Sequence, residues 1–471
     1  MPQTCQIRTH APQQAASLLV SLIADGIGPK NRFSVSRIML TIRPLTTAQF
    51  GDEMSAKGLA GRLLIGRQIG AVATAFMIPV STSGQAIALS IFVLFAILTV
   101  EREEWLVTFA TPAAAVPVGL FLLILIGMSW SPTPFAPGGG ITHYAKLLLI
   151  PVAVACAFTP REALQIGYGF LAGCLAVLVL SFLSFFILLP PPFRHAMDGV
   201  PLKDNAVQSG CFALCAFALA LGGVRVWVGG NRRRATAMII LALIFLADIF
   251  MIFISKTGVL MTAALVGLFV IHAEGWRRFL LVAAPIALVV AIALWSSAPA
   301  HRRLAEIATD IHAVDGDKGS SEPTLSTASR LDFWSKAVEF IKEAPLFGHG
   351  TGSTKSLYQS LEATRPSPYG EAVPDPHNQF FAIAIQVGLV GGAILLAMWA
   401  VHFSMFIGRS FASALGQAVV IQNFIGSLFN SHLSTVTQGM LYCLAVGLLG
   451  GIVQRARHRT LIAKNLRSGA A

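Results

Sequence analysis

His377 stands in the run Asp375-Pro376-His377-Asn378-Gln379, directly ahead of a long apolar stretch. That order reads as a helix start, with Asp375 as N-cap, Pro376 as the first helical residue and His377 in the first turn. There the positive end of the helix dipole and any neighbouring Arg or Lys disfavour the imidazolium, leaving a ring able to accept a proton near neutral pH. Such a ring suits a general base; the plain alternative is an interfacial histidine bonded to a loop carbonyl. Lys256, in Ile254-Ser255-Lys256-Thr257-Gly258, interrupts two apolar segments at a tight turn, where a cation needs an anionic partner or a route to water. Its plain alternative is compensation of the preceding helix's C-terminal dipole. Arg330 offers a planar fork for phosphate oxygens, against the commoner solvated loop arginine.

Other polar groups carry less. Asp248 lies two turns before Lys256, as a distant partner for it or as a packed polar group. Gly348, Gly350 and Gly352 imitate a dinucleotide fingerprint but follow a helix rather than a strand, so a flexible turn is expected, with His349 a secondary candidate. His272 and His402 read as packing residues, and His432 falls near a helix end. Histidines are scattered, Cys211 and Cys215 lack a matching ligand, and Asp315-Gly316-Asp317 sits in a flexible stretch, so neither a metal nor a cofactor is expected. Five of the six cysteines lie in apolar runs and only Cys5 in a polar tail, so no disulfide framework is readable.

The elements that must hold these residues are membrane helices. Of 471 residues 55% are hydrophobic and 12% charged, and mean hydropathy is +0.70, which excludes a soluble globular protein. Continuous runs such as Leu120 to Leu125 and Ile286 to Leu294 exclude the alternating pattern of a β-barrel. About twelve spans follow, near 63–80, 85–100, 106–128, 144–158, 163–189, 206–228, 235–254, 257–272, 279–295, 378–407, 412–428 and 435–453. The fourth and eighth are short enough to be re-entrant.

With the N-terminus inside, the inner loops carry nine arginines: Arg102, Arg161, Arg225, Arg232, Arg233, Arg234, Arg277, Arg278 and Arg409. The outer loops carry Lys146, Arg194, Lys203 and Lys256, so both termini are expected in the cytoplasm. The net charge of +12 is then topological bias rather than a nucleic-acid footprint, and no nucleic-acid partner is expected. The organisation is an N-terminal tail over 1–62, helices over 63–295, a large outer loop over 296–376, helices over 377–453 and a basic tail over 454–471. The tail shows no signal peptide, and Met39 or Met54 are alternative starts.

The 296–376 loop holds eleven of the chain's 22 acidic residues. Its first part, through Asp315 to Ser321, reads as flexible. From Ser329, read as N-cap, Leu331, Trp334, Val338 and Ile341 recur at helical spacing, with Lys336, Glu339, Lys342 and Glu343 opposite. That amphipathic helix would lie on the membrane boundary or on the bundle.

Ser329-Arg330-Leu331-Asp332-Phe333-Trp334, then Pro345-Leu346-Phe347-Gly348-His349-Gly350, then His377-Asn378-Gln379-Phe380 with Gly388-Leu389-Val390-Gly391 resembles the signature of the O-antigen ligase and polymerase superfamily. The resemblance implies an all-α polytopic glycosyltransferase of C type. Such an enzyme takes glycan from undecaprenyl pyrophosphate on the periplasmic face of the inner membrane and hands it to lipid A core or to a second carrier-linked glycan. It implies His377 as the catalytic histidine, Arg330 as the loop arginine and Lys256 in the basic turn, with Asp375, Asn378, Gly348 and Gly350 in support. Arg194 and Lys203 rank second for donor pyrophosphate. Lys256 stands where Arg is commoner in the family, and Gln386 where Glu is frequent. A ligase is favoured, a polymerase is the alternative, and a transporter is disfavoured because Asp248 is nearly alone at mid-membrane depth.

Overall fold

The computed structural model describes residues 58–136, 140–184, 186–187, 199–252, 255–274, 326–366 and 375–468. The N-terminal tail through residue 57, the expected span at 279–295, the stretch read as flexible around Asp315 and the second-rank candidate Arg194 lie outside them.

The described chain is entirely helical. In order it forms α1 Gly58–Val80, α2 Thr82–Thr99, α3 Arg102–Phe109, α4 Pro112–Ile126, α5 Leu149–Ala155, α6 Pro160–Leu183, α7 Asn205–Val228, α8 Arg232–Ala247, α9 Lys256–Glu274, α10 Ser326–Glu343, α11 Thr354–Thr364, α12 Gln379–Met405, α13 Phe411–Phe429 and α14 Val436–Ser468. Ten of the described helices are long and apolar enough to cross a membrane, so this is a multi-pass membrane protein. They coincide with ten of the twelve expected spans. Of the other two, 279–295 is not described, and the fourth is the shorter segment Ile141–Ala155, in which two 3-10 turns lead into α5.

Ends are set by short polar residues. Thr159 and Glu162 form a reciprocal capping box with Pro160 in the first turn of α6. Asp204 accepts from the Val207 amide at α7, and Ser410 from the Ser413 amide at α13. Packing relies on small residues: a side chain at Gly169 or Gly173 of α6 would strike the backbone of Val72 or Phe76, so α1 and α6 touch backbone to backbone. α7 packs on α8 and α9, α9 on α13, α13 on α14, and α4 on α12, around one continuous core. α14 runs past the expected boundary at 453 as helix to Ser468.

The described part of the long connection holds two helices, differently turned than expected. α10 begins at Ser326, so Ser329 is inside the helix rather than its cap. Its buried face is Phe333, Lys336, Ala337 and Phe340, whereas Leu331 and Val338 of the expected apolar face are 43% and 38% exposed. The helix is apolar on two sides, and the aromatic side meets protein. A second helix, α11, has no counterpart among the expected elements. It lays Tyr358 against Phe333 and Phe340, and the Tyr358 hydroxyl donates to the Phe333 carbonyl at 2.6 Å. Lys336, expected in solvent, lies between the helices and bonds Asp332 at 2.8 Å and Glu362 at 3.2 Å.

Candidate active site

α12 is two half-helices. At Val387 and Gly388 its backbone leaves the helical region, with Gly388 at φ 72° and ψ −175°, which residues with a side chain do not adopt. The break unpairs carbonyls deep in the bundle, where each orphan costs several kcal/mol, on the order of 2–7. Residues 345–352 supply the partners. The His349 amide donates to Ile385 O at 2.9 Å, the Gly350 amide to Gln386 O at 2.8 Å, and the Leu389 amide turns to Pro345 O at 2.8 Å. Thr351 donates from its amide to Gly127 O and from its hydroxyl to Ile124 O, which pins the same loop to α4. The glycine motif is therefore a buried clasp rather than a flexible turn. Gly348 has φ 67° and its missing side chain would meet Gln386 backbone at 2.5 Å. Gly348 and Gly350 thus bear on the candidate site through the half-helix, and His349 is engaged with Phe340 O at 2.8 Å.

Gln386 completes the clasp. Its oxygen accepts from the Gly352 amide at 2.8 Å, while its nitrogen donates to Tyr144 OH at 3.1 Å and Ala382 O at 2.8 Å. A glutamate, frequent at this place in the family it resembles, could not donate both bonds when ionised. Tyr144 continues to Ser434 Oγ at 3.2 Å, and Ser434 meets Gln379 through its amide and its hydroxyl. Lys146 Nζ donates to the carbonyls of Ser434 and Thr435 at 2.8 and 2.6 Å.

His377 crowns this half-helix, but not inside it. The N-cap is Asn378, whose side chain accepts from the Phe381 amide and donates to Leu428 O at 3.0 Å. His377 precedes it with φ 48°, a left-handed conformation uncommon for a residue with a side chain. Asp375, expected as the cap, instead accepts from the His377 amide at 3.0 Å and from the Ser431 hydroxyl at 2.5 Å, which fixes that turn. The ring stacks on Phe333 at a 6.0 Å centroid distance, and Trp334 Nε1 donates to Pro376 O at 3.0 Å. α10 thus forms one wall against the histidine.

Burial holds the imidazole below its ordinary range. The Asp375 carboxylate opposes the depression, the nearby Arg330 guanidinium adds to it, and a hydrogen bond with Asn430 opposes it. Burial is thus the largest cause of the lowered value. Arg330 itself is shifted down by burial. Asn430 Nδ2 donates to Thr257 Oγ1 at 3.3 Å, which leaves Oδ1 to accept from a ring N–H. Through Asn430 the histidine is joined to the start of α9, where Lys256 is the first residue. Lys256 is thus beside the positive end of the α9 dipole.

Lys203 precedes α7, and Ser209 of α7 packs on Gly258 of α9, so the starts of these two helices are neighbours. Burial lowers the Lys203 ammonium. Asp248 is a packed polar group, accepting from Ser181 at 2.5 Å and Gln208 at 3.1 Å. His402 bonds Tyr442 and Ala113, and His272 bonds Gln417, as packing residues do. His432 is buried against Gly426, with Nδ1 unbonded among the described residues and its pKa pushed down to about 4 by burial. No cluster of three metal-ligating side chains occurs among the described residues. Sequence reasoning missed Asn430, Ser431 and Tyr144; the polar run Asn430-Ser431-His432 directly after an apolar span was the available signal.

A half-buried histidine, with an arginine and a lysine close by, thus stands at one end of a multi-pass helical bundle. Residues 241–396, about a third of the chain, are similar to the O-antigen ligase family model, Wzy_C, a family of glycosyltransferase-type enzymes that use lipid-linked glycans. The match contains Lys256, Arg330, the clasp and His377, and ends before Asn430. No curated protein matches the chain.

Proposed function

We propose that the protein transfers a glycan from undecaprenyl pyrophosphate to lipid A core at the periplasmic face of the inner membrane, with inversion and without a metal. The observation that carries this reading is His377, held neutral by burial and bonded by Asn430, inside the stretch that matches the family. The acceptor hydroxyl oxygen attacks the anomeric carbon as the bond from that carbon to the pyrophosphate oxygen breaks. The hydroxyl proton passes to the His377 nitrogen not engaged by Asn430, and the electron pair leaves with pyrophosphate. Arg330 and Lys256 neutralise the leaving group, with Lys203 and Arg194 in reserve for the donor. Asp375 and Asn378 fix the turn that carries the base.

The basic residues support this orientation. Arg409 lies beyond the opposite end of α12 from His377, and Arg225 and Arg457 donate to carbonyls of Arg409 and Ile407. That end faces the cytoplasm by the positive-inside rule, together with both termini.

The test is transfer from a lipid-pyrophosphate glycan by purified protein in EDTA, offered lipid A core or a second carrier-linked glycan. His377→Ala should lower transfer by about 10²–10⁴-fold with insertion unchanged. Product on the carrier alone would replace the ligase by a polymerase. Equal product from the variant would remove His377 from the mechanism.

A further inference from the structure

A second recess opens on the other side of α11. Its cavity, about 450 Å³, has Pro134, Phe135 and Ala136 on one wall and Lys355, Ser356 and Gln359 on the other. That volume lies within the roughly 300–1,000 Å³ usual for small-molecule sites. Both walls are anchored to the clasp: Ser131 Oγ donates to Thr351 O, Thr133 Oγ1 donates to Gly352 O at 3.1 Å, and α11 begins two residues after Gly352. The recess is therefore preformed. Tyr358 points from α11 toward α10, so this face of α11 is separate from the one that supports His377.

Its chemistry is specific. Phe135 is 70% exposed, an apolar ring presented to the recess rather than packed away. Lys355 and Gln359 are one helical turn apart and both line it. Neither the ammonium nor the amide makes a hydrogen bond or ion pair with a described residue, although Lys355 is half-buried. Ser356 is already committed to Ser353 O at 2.8 Å. A flat apolar ring, an uncompensated cation and a two-sided amide complement a pyranose that bears a carboxylate. The sugar's C–H face covers the ring, the carboxylate meets Lys355, and hydroxyls meet Gln359.

We propose that this recess is a subsite for an acidic sugar of the glycan, remote from the reacting end. It rests on the reading of the protein as a glycan transferase and adds that part of the glycan is held away from His377. A phospholipid headgroup would use the same ammonium but leaves Gln359 and the open face of Phe135 without a role.

The experiment is calorimetric titration of the full chain in zwitterionic nanodiscs with a tetrasaccharide of alternating glucuronic acid and N-acetylglucosamine, against neutral chitotetraose. The acidic probe should bind. Lys355→Gln should weaken it about tenfold or more, the worth of one hydrogen bond to a charged group, and Phe135→Ala should weaken it through loss of the apolar face. Gln359→Ala should act in the same direction, and His377→Ala should leave affinity unchanged. Absence of saturable binding, equal affinity in Lys355→Gln, or equal affinity for the neutral probe would overturn the subsite. So would displacement by phosphatidylglycerol in the discs, which would assign the recess to lipid. The titration needs no turnover, so loss of the transferase reading and loss of this subsite are read separately.

Discussion

The clasp at 345–352 and the helix pair α10–α11 belong to one connection, yet they are attached to the bundle by different means. The clasp is held by backbone groups that enter the break in α12, and its partners are carbonyls that lipid and packed side chains cannot satisfy. The helix pair is held by side chains: a small core of Phe333, Ala337, Phe340, Tyr358 and Ile385, and the ion pairs of Lys336. Backbone attachment fixes position without tolerance, because a carbonyl is either paired or orphaned. Side-chain attachment is graded. Both converge on His377, one from below through the half-helix and one from the side through Phe333 and Trp334.

The comparison is broken most severely at Gly388. A Cβ there would stand 1.9 Å from the Leu346 carbonyl oxygen, on a backbone that only glycine adopts. Gly388→Ala should therefore abolish monodisperse, folded protein in detergent, as read by size-exclusion chromatography. A protein that folds and transfers normally with this substitution would show that the clasp can be displaced at little cost. Lys336→Ala sharpens the other side. It leaves Asp332 and Glu362 facing each other, both partly exposed, and should destabilise the helix pair by up to about 3 kcal/mol. Hydrogen exchange should rise in α10 and α11 and stay unchanged in the bundle; loosening of both together would mean that the two attachments are one cooperative unit.

The same division explains what the sequence made legible. Spans were readable because lipid demands about twenty apolar residues whatever they pack against, and ten of twelve coincide with observed helices. His377 and Lys256 stood out as candidates because ionisable residues beside apolar runs are expensive, and Arg330 stood out through the family resemblance. The break was not, since the glycines at 348 and 350 take their meaning from Gly388, a partner some forty residues later. The face of α10 was not either: Leu331 and Val338 repeat as regularly as Phe333, Ala337 and Phe340, and periodicity cannot say which stripe meets protein and which meets lipid. Asn430 and Ser431 act on His377 from a loop between two other spans, a proximity that only the fold supplies.

The finest effect expected is on the pH at which transfer fails. Burial places the His377 imidazole below 6.5, so transfer should persist under mildly acidic conditions and decline only as pH falls through the depressed value and the base becomes protonated. Two charges act on that value in opposite senses. Asp375→Asn keeps an oxygen for the His377 amide and for Ser431 but removes the anion that favours imidazolium, so the acidic limb should move to lower pH. Arg330→Gln removes the cation that disfavours imidazolium, so its limb should move to higher pH even as the plateau rate drops through lost pyrophosphate binding. A structural lesion from either substitution would lower the plateau without moving the limbs apart. Opposed displacement of the two limbs therefore identifies His377 as the titrating group, and displacement in one common direction assigns the titration to another residue.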